Sequence, residues 1–245
     1  MTRNRVLELL SELESSGNIE LSLYLPAGMP IATIREILQN LQGAPENTSE
    51  PGDIIHGSKT GAALFLRESG DMVLILPPLP LEKQVLSKHS WTEPIRSLLQ
   101  RDHTTALVLL HLGSYAIGVF YGEQMVSSKV GTGLVHSRHK KGGSSEGRFK
   151  RHREKQMETF FSRVCNHSIN QLQPYSRELR YLFYGGEKTT VLSFRRQCRF
   201  LERFDSITVE NVLNIRQLKQ SNLKQAISEA LKSRVIEWDP CNLEE

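Results

Sequence analysis

No stretch of this 245-residue chain approaches the roughly 20 consecutive apolar residues of a membrane-spanning helix, so no membrane partner is expected. The opening "MTRNRVLELLSELESSG" is not expected to act as a secretion signal, because Glu8, Glu12 and Glu14 interrupt its apolar residues. Cysteine is scarce: Cys165, Cys198 and Cys241 are far apart and form no C-x-x-C pair. That excludes a zinc ribbon and is the usage of a reducing compartment, so a cytoplasmic location is expected. Cys165 and Cys198 fall within apolar helical patterns and read as packing residues. There is no G-x-x-x-x-G-K-[ST] phosphate loop and no G-x-G-x-x-G opening a helix, and "GTG" at Gly131 to Gly133 is too short to replace them. The strand-like runs "TALVLLHL", "YAIGVFY" and "YLFY" carry no carboxylate, which leaves a two-metal nuclease nothing to hold its ions. No Ser-His-Asp triad is evident, and neither a metal site nor a cofactor is expected. Internal repeats and low-complexity tails are also missing.

What is present is hydrophobic patterning in two blocks. Val6, Leu9, Leu10 and Leu13 fall at i, i+3, i+4 and i+7, which predicts an amphipathic helix stopping at Gly17. "IELSLYLP" alternates like a strand, and "IATIREILQNLQG" returns to helical spacing with Gly43 as its cap. "APENTSEPGD" reads as an exposed loop. "AALFLRESGDMVLILPPLPLE" reads as a hairpin turning through Ser69, Gly70 and Asp71. A boundary is expected near residues 85 to 100, dividing an N-terminal α+β region over 1–95 from a second domain over 100–240.

The second block begins with "TALVLLHL", "YAIGVFY" and "MVSSKVG", which predict a three-stranded antiparallel meander. From Phe149 the period becomes helical through Met157, Phe160, Phe161, Val164, Ile169 and Leu172, ending before Pro174. A strand "LRYLFYGG", a helix "EKTTVLSFRRQCRFL" and a strand "SITVENVLNI" follow. "NLKQAISEALKSRVIEW" reads as a closing helix with Ser221 as its N-cap. Strands first, then helix and strand in alternation, predict a mixed α/β layer architecture. Tyr184-Gly185-Gly186 reads as a tight structural turn, and Trp91 and Trp238 as packing residues.

Charge is concentrated in one place. Between Arg138 and Lys155 there are eight Lys or Arg against two Glu, more than the whole chain's net +4, so the remainder is slightly acidic. Local basic charge of this density attracts polyanions, above all nucleic acid. Arg138, Lys140, Lys141, Arg148, Lys150, Arg151 and Arg153 are the candidate phosphate contacts. Arg195 and Arg196 either extend that surface or form a plain solvated helix face. His136, His139 and His152 have no neighbouring Cys or Asp and read as phosphate contacts or surface, not metal ligands. In the middle lie Gly142 and Gly143, where a backbone without side chains can approach a ligand closely.

"KKGGSSEGRFKRHRE" resembles the glycine-glycine-glutamine loop and following helix in the central domain of eukaryotic and archaeal class-one peptide release factors. Arg148-Phe149 keeps the family's distance from the glycines. With the meander "TALVLLHLGSYAIGVFYGEQMVSSK" and the strand "YLFYGG", the region over roughly residues 100 to 238 is similar to the release-factor-like domain of the Vms/ankyrin-zinc-finger peptidyl-tRNA hydrolases and their bacterial relatives. The resemblance implies a ribonuclease-H-like release-factor domain with a mixed sheet flanked by helices. It also implies hydrolysis of the ester joining a nascent peptide to tRNA. The implied partners are the ribosome at the peptidyl-transferase centre of its large subunit, ribosomal RNA and peptidyl-tRNA. The implied catalytic positions are Gly142, Gly143 and the residue that follows them.

That residue is not the family's glutamine. Counting back from Arg148-Phe149 puts Ser144, Ser145 or Glu146 in its place, depending on the spacing used. A serine hydroxyl can orient water but reaches less far, and a carboxylate cannot donate a hydrogen bond unless protonated. Two functions therefore stand: a peptidyl-tRNA hydrolase freeing peptides from stalled ribosomes or large subunits, and a non-catalytic ribosome or tRNA binder with a degenerate loop. No element is assigned to reading a stop codon.

Overall fold

A computed structural model describes residues 1–41, 49–135, 146–215, 218 and 220–238. The chain clusters into two compact units, Met1–Arg101 together with the chain from Leu231, and Asp102–Ala230.

The first unit runs α1 (Arg3–Ser16), β1 (Ile19–Leu25), α2 (Ile31–Gln39), α3 (Ser49–Gly57), β2 (Ala62–Arg67), β3 (Met72–Leu76), β4 (Val85–Ser87) and α4 (Glu93–Gln100). Its helical stripe Val6, Leu9, Leu10 and Leu13 is buried, as the i, i+3, i+4, i+7 spacing requires. Side chains of β2 alternate between two cores. Ala63 and Phe65 pack with α1 and α4, while Ala62, Leu64 and Leu66 pack with Ile34 and Leu38 of α2 and Ile55 of α3. Helices on both faces explain why β2, up to its last residue Arg67, and β3 are apolar instead of alternating. The expected loop "APENTSEPGD" is partly helical, because α3 begins at Ser49 and accommodates Pro51. Proline is tolerated in a first turn, where its missing N–H would have no partner anyway. The helix α4 and the short strand β4 occupy the stretch read as a boundary; Ile95 and Leu99 of α4 are buried against the α1 side.

The second unit contains β5 (Thr104–His111), β6 (Ser114–Tyr121), β7 (Gln124–Thr132), α5 (Glu146–Leu172), β8 (Leu179–Gly186), α6 (Lys188–Gln197), a 3-10 turn (Arg199–Ile207), β9 (Thr208–Leu213) and α7 (Gln220–Ala230). The strand order is β7-β6-β5-β8-β9. The predicted meander supplies the antiparallel pairs β5–β6 and β6–β7, and β8 and β9 then add in parallel beside β5. This is the expected mixed sheet flanked by helices. One face is covered by α5 and α6, through Phe160, Phe161, Val164, Val191 and Phe194. The other face is covered by α7, whose Leu223 lies against Gly118.

Three expectations are corrected here. The closing segment is not one helix: α7 begins at Gln220, one residue before the expected cap Ser221, and stops at Ala230. The chain then forms β10 (Arg234–Trp238), antiparallel to β3 at the edge of the first unit's sheet. Val235 packs on one face, with Ile236 and Trp238 on the other, a period of two that the preceding helical spacing masks in the sequence. The helix read through "EKTTVLSFRRQCRFL" also breaks, at Cys198, where ψ is 79°.

The third correction concerns the cysteines. Cys165 of α5 and Cys198 after α6 form a disulfide, with Cα atoms 5.5 Å apart. Their separation of 33 residues hides a proximity created by two helices packing on one sheet face. Closing a loop of that length restricts the unfolded chain by about 3–4 kcal/mol in the loop-entropy account. A strong reductant, or the pair Cys165→Ser/Cys198→Ser, should therefore lower the thermal midpoint by several degrees. An unchanged midpoint in a calorimetric scan would show that the bond contributes nothing to stability.

Candidate functional site

The residues that carry the site belong to α5. Its 27 residues span roughly 40 Å, whereas the eight-residue strand β6 beneath it spans about 27 Å. The excess lies at the N-terminal end. Burial starts at Phe160, with Met157 partly buried, and continues through Phe161, Val164 and Leu172. No residue from Gly147 to Gln156 is buried. About ten residues, roughly 15 Å of helix, thus extend past the apolar contacts that hold the rest of α5.

This extension is basic. Arg148, Lys150 and Arg151 are exposed, and Arg153 is half-buried. The Arg151 Nε donates to the Gly147 carbonyl at 3.2 Å, a contact within the helix itself. Phe149, a large apolar ring amid cations, is 62% exposed. Cations in the first turns of a helix oppose the positive end of its dipole, a cost that an anionic partner would offset. Glu146 is the first residue of the helix.

Of the other candidate positions, Arg138, Lys140, Lys141, Gly142, Gly143, Ser144 and Ser145 lie outside the described residues, as do His136 and His139. The described chain ends on one side at Val135, after β7, and resumes on the other at Glu146, the start of α5. Around this junction the two glycines of "GTG" are packing residues. A Cβ on Gly133 would sit 2.6 Å from the Phe160 ring, and one on Gly131 would run into Tyr115. The strand therefore passes close under α5 before the basic segment begins.

Residues outside α5 are bound into the fold. Arg195 donates to Asp205 at 2.9 Å and lies over the Tyr184 ring at 5.0 Å, so it serves the interior more than a partner; Arg196 is exposed. The Tyr184 hydroxyl is pushed well above its ordinary range, by burial first and by Asp205 second, with Arg195 acting in the opposite sense. Gly186 has φ of 115°, and a Cβ there would overlap the Leu110 carbonyl oxygen of the paired strand; Tyr184-Gly185-Gly186 is the paired end of strand β8 and not the expected turn. Among the described residues no group of His, Cys, Asp and Glu is arranged to hold a metal ion. None of the described helices is long and apolar enough to cross a membrane.

Sequence reading missed part of the surface. Lys155, Thr159 and Arg163 recur every four residues along α5 and share one face, next to the end of β7. The spacing is visible in the sequence, but the apolar stripe interleaved with it, Met157, Phe160, Phe161 and Val164, claims the helix for the core.

Residues 103–236 match the family model described as the Actinobacteria/chloroflexi VLRF1 release factor. The peptide chain release factor subunit 1 of Archaeoglobus fulgidus is 25% identical over 190 residues, covering 76% of this chain and 45% of that protein. The corresponding subunit of Aeropyrum pernix is 21% identical over 261 residues, covering 93% of this chain and 68% of its own. Among solved structures, the archaeal translation termination factor aRF1 aligns over 94% of this chain and 70% of its own, at 17% identity and a TM-score of 0.42. This chain thus spans less than half of the Archaeoglobus fulgidus protein. The family model covers more than half of the chain, and the chain belongs to that release-factor family.

Proposed function

We propose that this member of the VLRF1 release-factor family is a peptidyl-tRNA hydrolase that frees nascent peptides from stalled ribosomes or large subunits, as the Vms/ankyrin-zinc-finger enzymes do. One observation carries the reading. The Gly-Gly segment joins a basic helix end that projects roughly 15 Å beyond its own core contacts. A cationic arm of this kind suits entry into an RNA-lined cleft, where Arg148, Lys150, Arg151 and Arg153 bind phosphates and the glycines lead. Arg138, Lys140 and Lys141 add charge on the approach side.

The chemistry asked of the protein is small. Water adds to the carbonyl carbon of the ester that links peptide to tRNA, and negative charge develops on the carbonyl oxygen. Backbone N–H groups near Gly143 stabilise that charge, a contribution of about 2.7–4 kcal/mol per donor. Collapse of the intermediate leaves a peptide carboxyl and returns a proton to the ribose oxygen of the tRNA. Ser144 or Ser145 orients the water, and the partner RNA supplies the remaining walls.

Glu146 is assigned a different part. Its backbone begins α5, and a carboxylate there cannot donate a hydrogen bond to the reacting ester or water unless protonated. Glu146→Gln should therefore change the rate of single-turnover release from labelled peptidyl-tRNA complexes by less than about threefold. A tenfold or larger gain would mean that Glu146 occupies the place of the missing glutamine and that the natural chain is the non-catalytic binder. The missing glutamine is the one feature that favours that second reading, and the same assay decides it: wild type that binds ribosomes but releases nothing is a binder.

A further inference from the structure

Beside the end of β7, under the middle of α5, lies a cavity of about 240 Å³. Leu134 and Phe160 give it an apolar floor, and His152, Lys155, Thr159 and Arg163 form its rim. Leu134 is 73% exposed, while Phe160 is buried and held by the core. Arg163 is oriented by a hydrogen bond from its Nη1 to the Thr132 carbonyl at 3.1 Å, which fixes its guanidinium at the mouth. The Thr159 hydroxyl donates to the Lys155 carbonyl at 2.9 Å and presents its lone pairs outward as an acceptor. Among the described residues, no carboxylate lines the cavity.

We propose that this cavity takes one unstacked base of single-stranded RNA, with the adjoining phosphates on Lys155 and Arg163. The inference rests on the RNA-facing reading of α5 and adds a pocket at the foot of the basic arm, which contributes His152 and Lys155 to it. An apolar floor inside a cationic rim matches a nucleotide, which carries a flat aromatic face and a negative charge a few ångströms apart. A small apolar ligand would have no use for the cations, and a small anion none for Leu134. A duplex keeps its bases stacked and cannot fill a pocket of this size without extruding one. The polar acceptor at Thr159 suits a base edge or a ribose hydroxyl.

The test is fluorescence anisotropy with a labelled single-stranded RNA hexamer and, in parallel, a blunt RNA duplex of the same composition. Lys155→Ala should weaken hexamer binding about tenfold and lower its salt slope by about 0.7, one phosphate contact on a single strand. Leu134→Ser, at an exposed position, should weaken the hexamer at least threefold while leaving the salt slope unchanged. Duplex affinity should move less than twofold in both. Equal losses for hexamer and duplex, or no effect of Leu134→Ser, would reduce the cavity to general charged surface and overturn the proposal. The double variant Arg148→Ala/Arg151→Ala should weaken both probes together. If peptide release fails while the hexamer pattern holds, the hydrolase reading falls and the pocket stands; the reverse pattern removes only the pocket.

Discussion

Changing Gly142 and Gly143 together to alanine should lower peptide release at least about 100-fold, the scale of losing one oxyanion donor. The thermal midpoint should stay within about one degree, because the sequence around the two glycines, from Arg138 to Gly147, carries no large apolar side chain to anchor a core. Binding to ribosomes should persist, since Arg148, Lys150, Arg151 and Arg153 on α5 are untouched. The physical cause is local. Two added methyl groups restrict the backbone and hold the ester away from the amides that must meet its oxygen. Single-turnover release at saturating protein, beside a melting curve and a ribosome pelleting assay, separates these three statements. Release at the wild-type rate would remove the Gly-Gly segment from the chemistry.

The second large effect is expected at the chain's other glycine pair, and it has the opposite character. Gly186→Ala should destabilise the second unit by about 3 kcal/mol or more, enough to abolish cooperative folding at body temperature. Gly186 closes β8 with φ of 115°, opposite Leu110 of β5. An added Cβ would overlap the Leu110 carbonyl oxygen and lie 2.9 Å from its carbon, both of them backbone atoms in a central strand. Neither strand can move aside without disturbing the β5–β6 and β8–β9 pairs on either flank. Urea unfolding followed by fluorescence measures the loss; a midpoint within error of wild type would show that the end of β8 is not so confined. One Gly-Gly pair thus serves the fold and the other is assigned to chemistry. Composition alone does not tell them apart; surrounding charge and pairing do.

Legibility in the sequence followed the range of the forces involved. The α1 stripe, the β2–β3 hairpin, the meander and the long helix of α5 were readable because each is a periodic pattern within a short window. The basic segment and its glycines were readable for the same reason, and they carry the resemblance to release factors. β10 was not, because its partner β3 lies about 160 residues away and only that pairing makes five residues a strand. The Cys165–Cys198 bond was hidden likewise, since no local pattern brings the two residues together. Lys155, Thr159 and Arg163 could be placed on one face from spacing, but their cavity exists only because the chain at Gly133 and Leu134 passes beside that face of α5.

By itself, then, the sequence determined the class of fold, the position of the basic Gly-Gly segment and the chemistry it resembles. Local periodicity and local charge are properties of neighbouring residues. Tertiary structure alone decided how far α5 projects beyond its core, which glycine pair is locked between strands, which cysteines meet, and where a base-sized cavity opens. Those depend on contacts between segments far apart in the chain, and their geometry is set by packing that no short window contains.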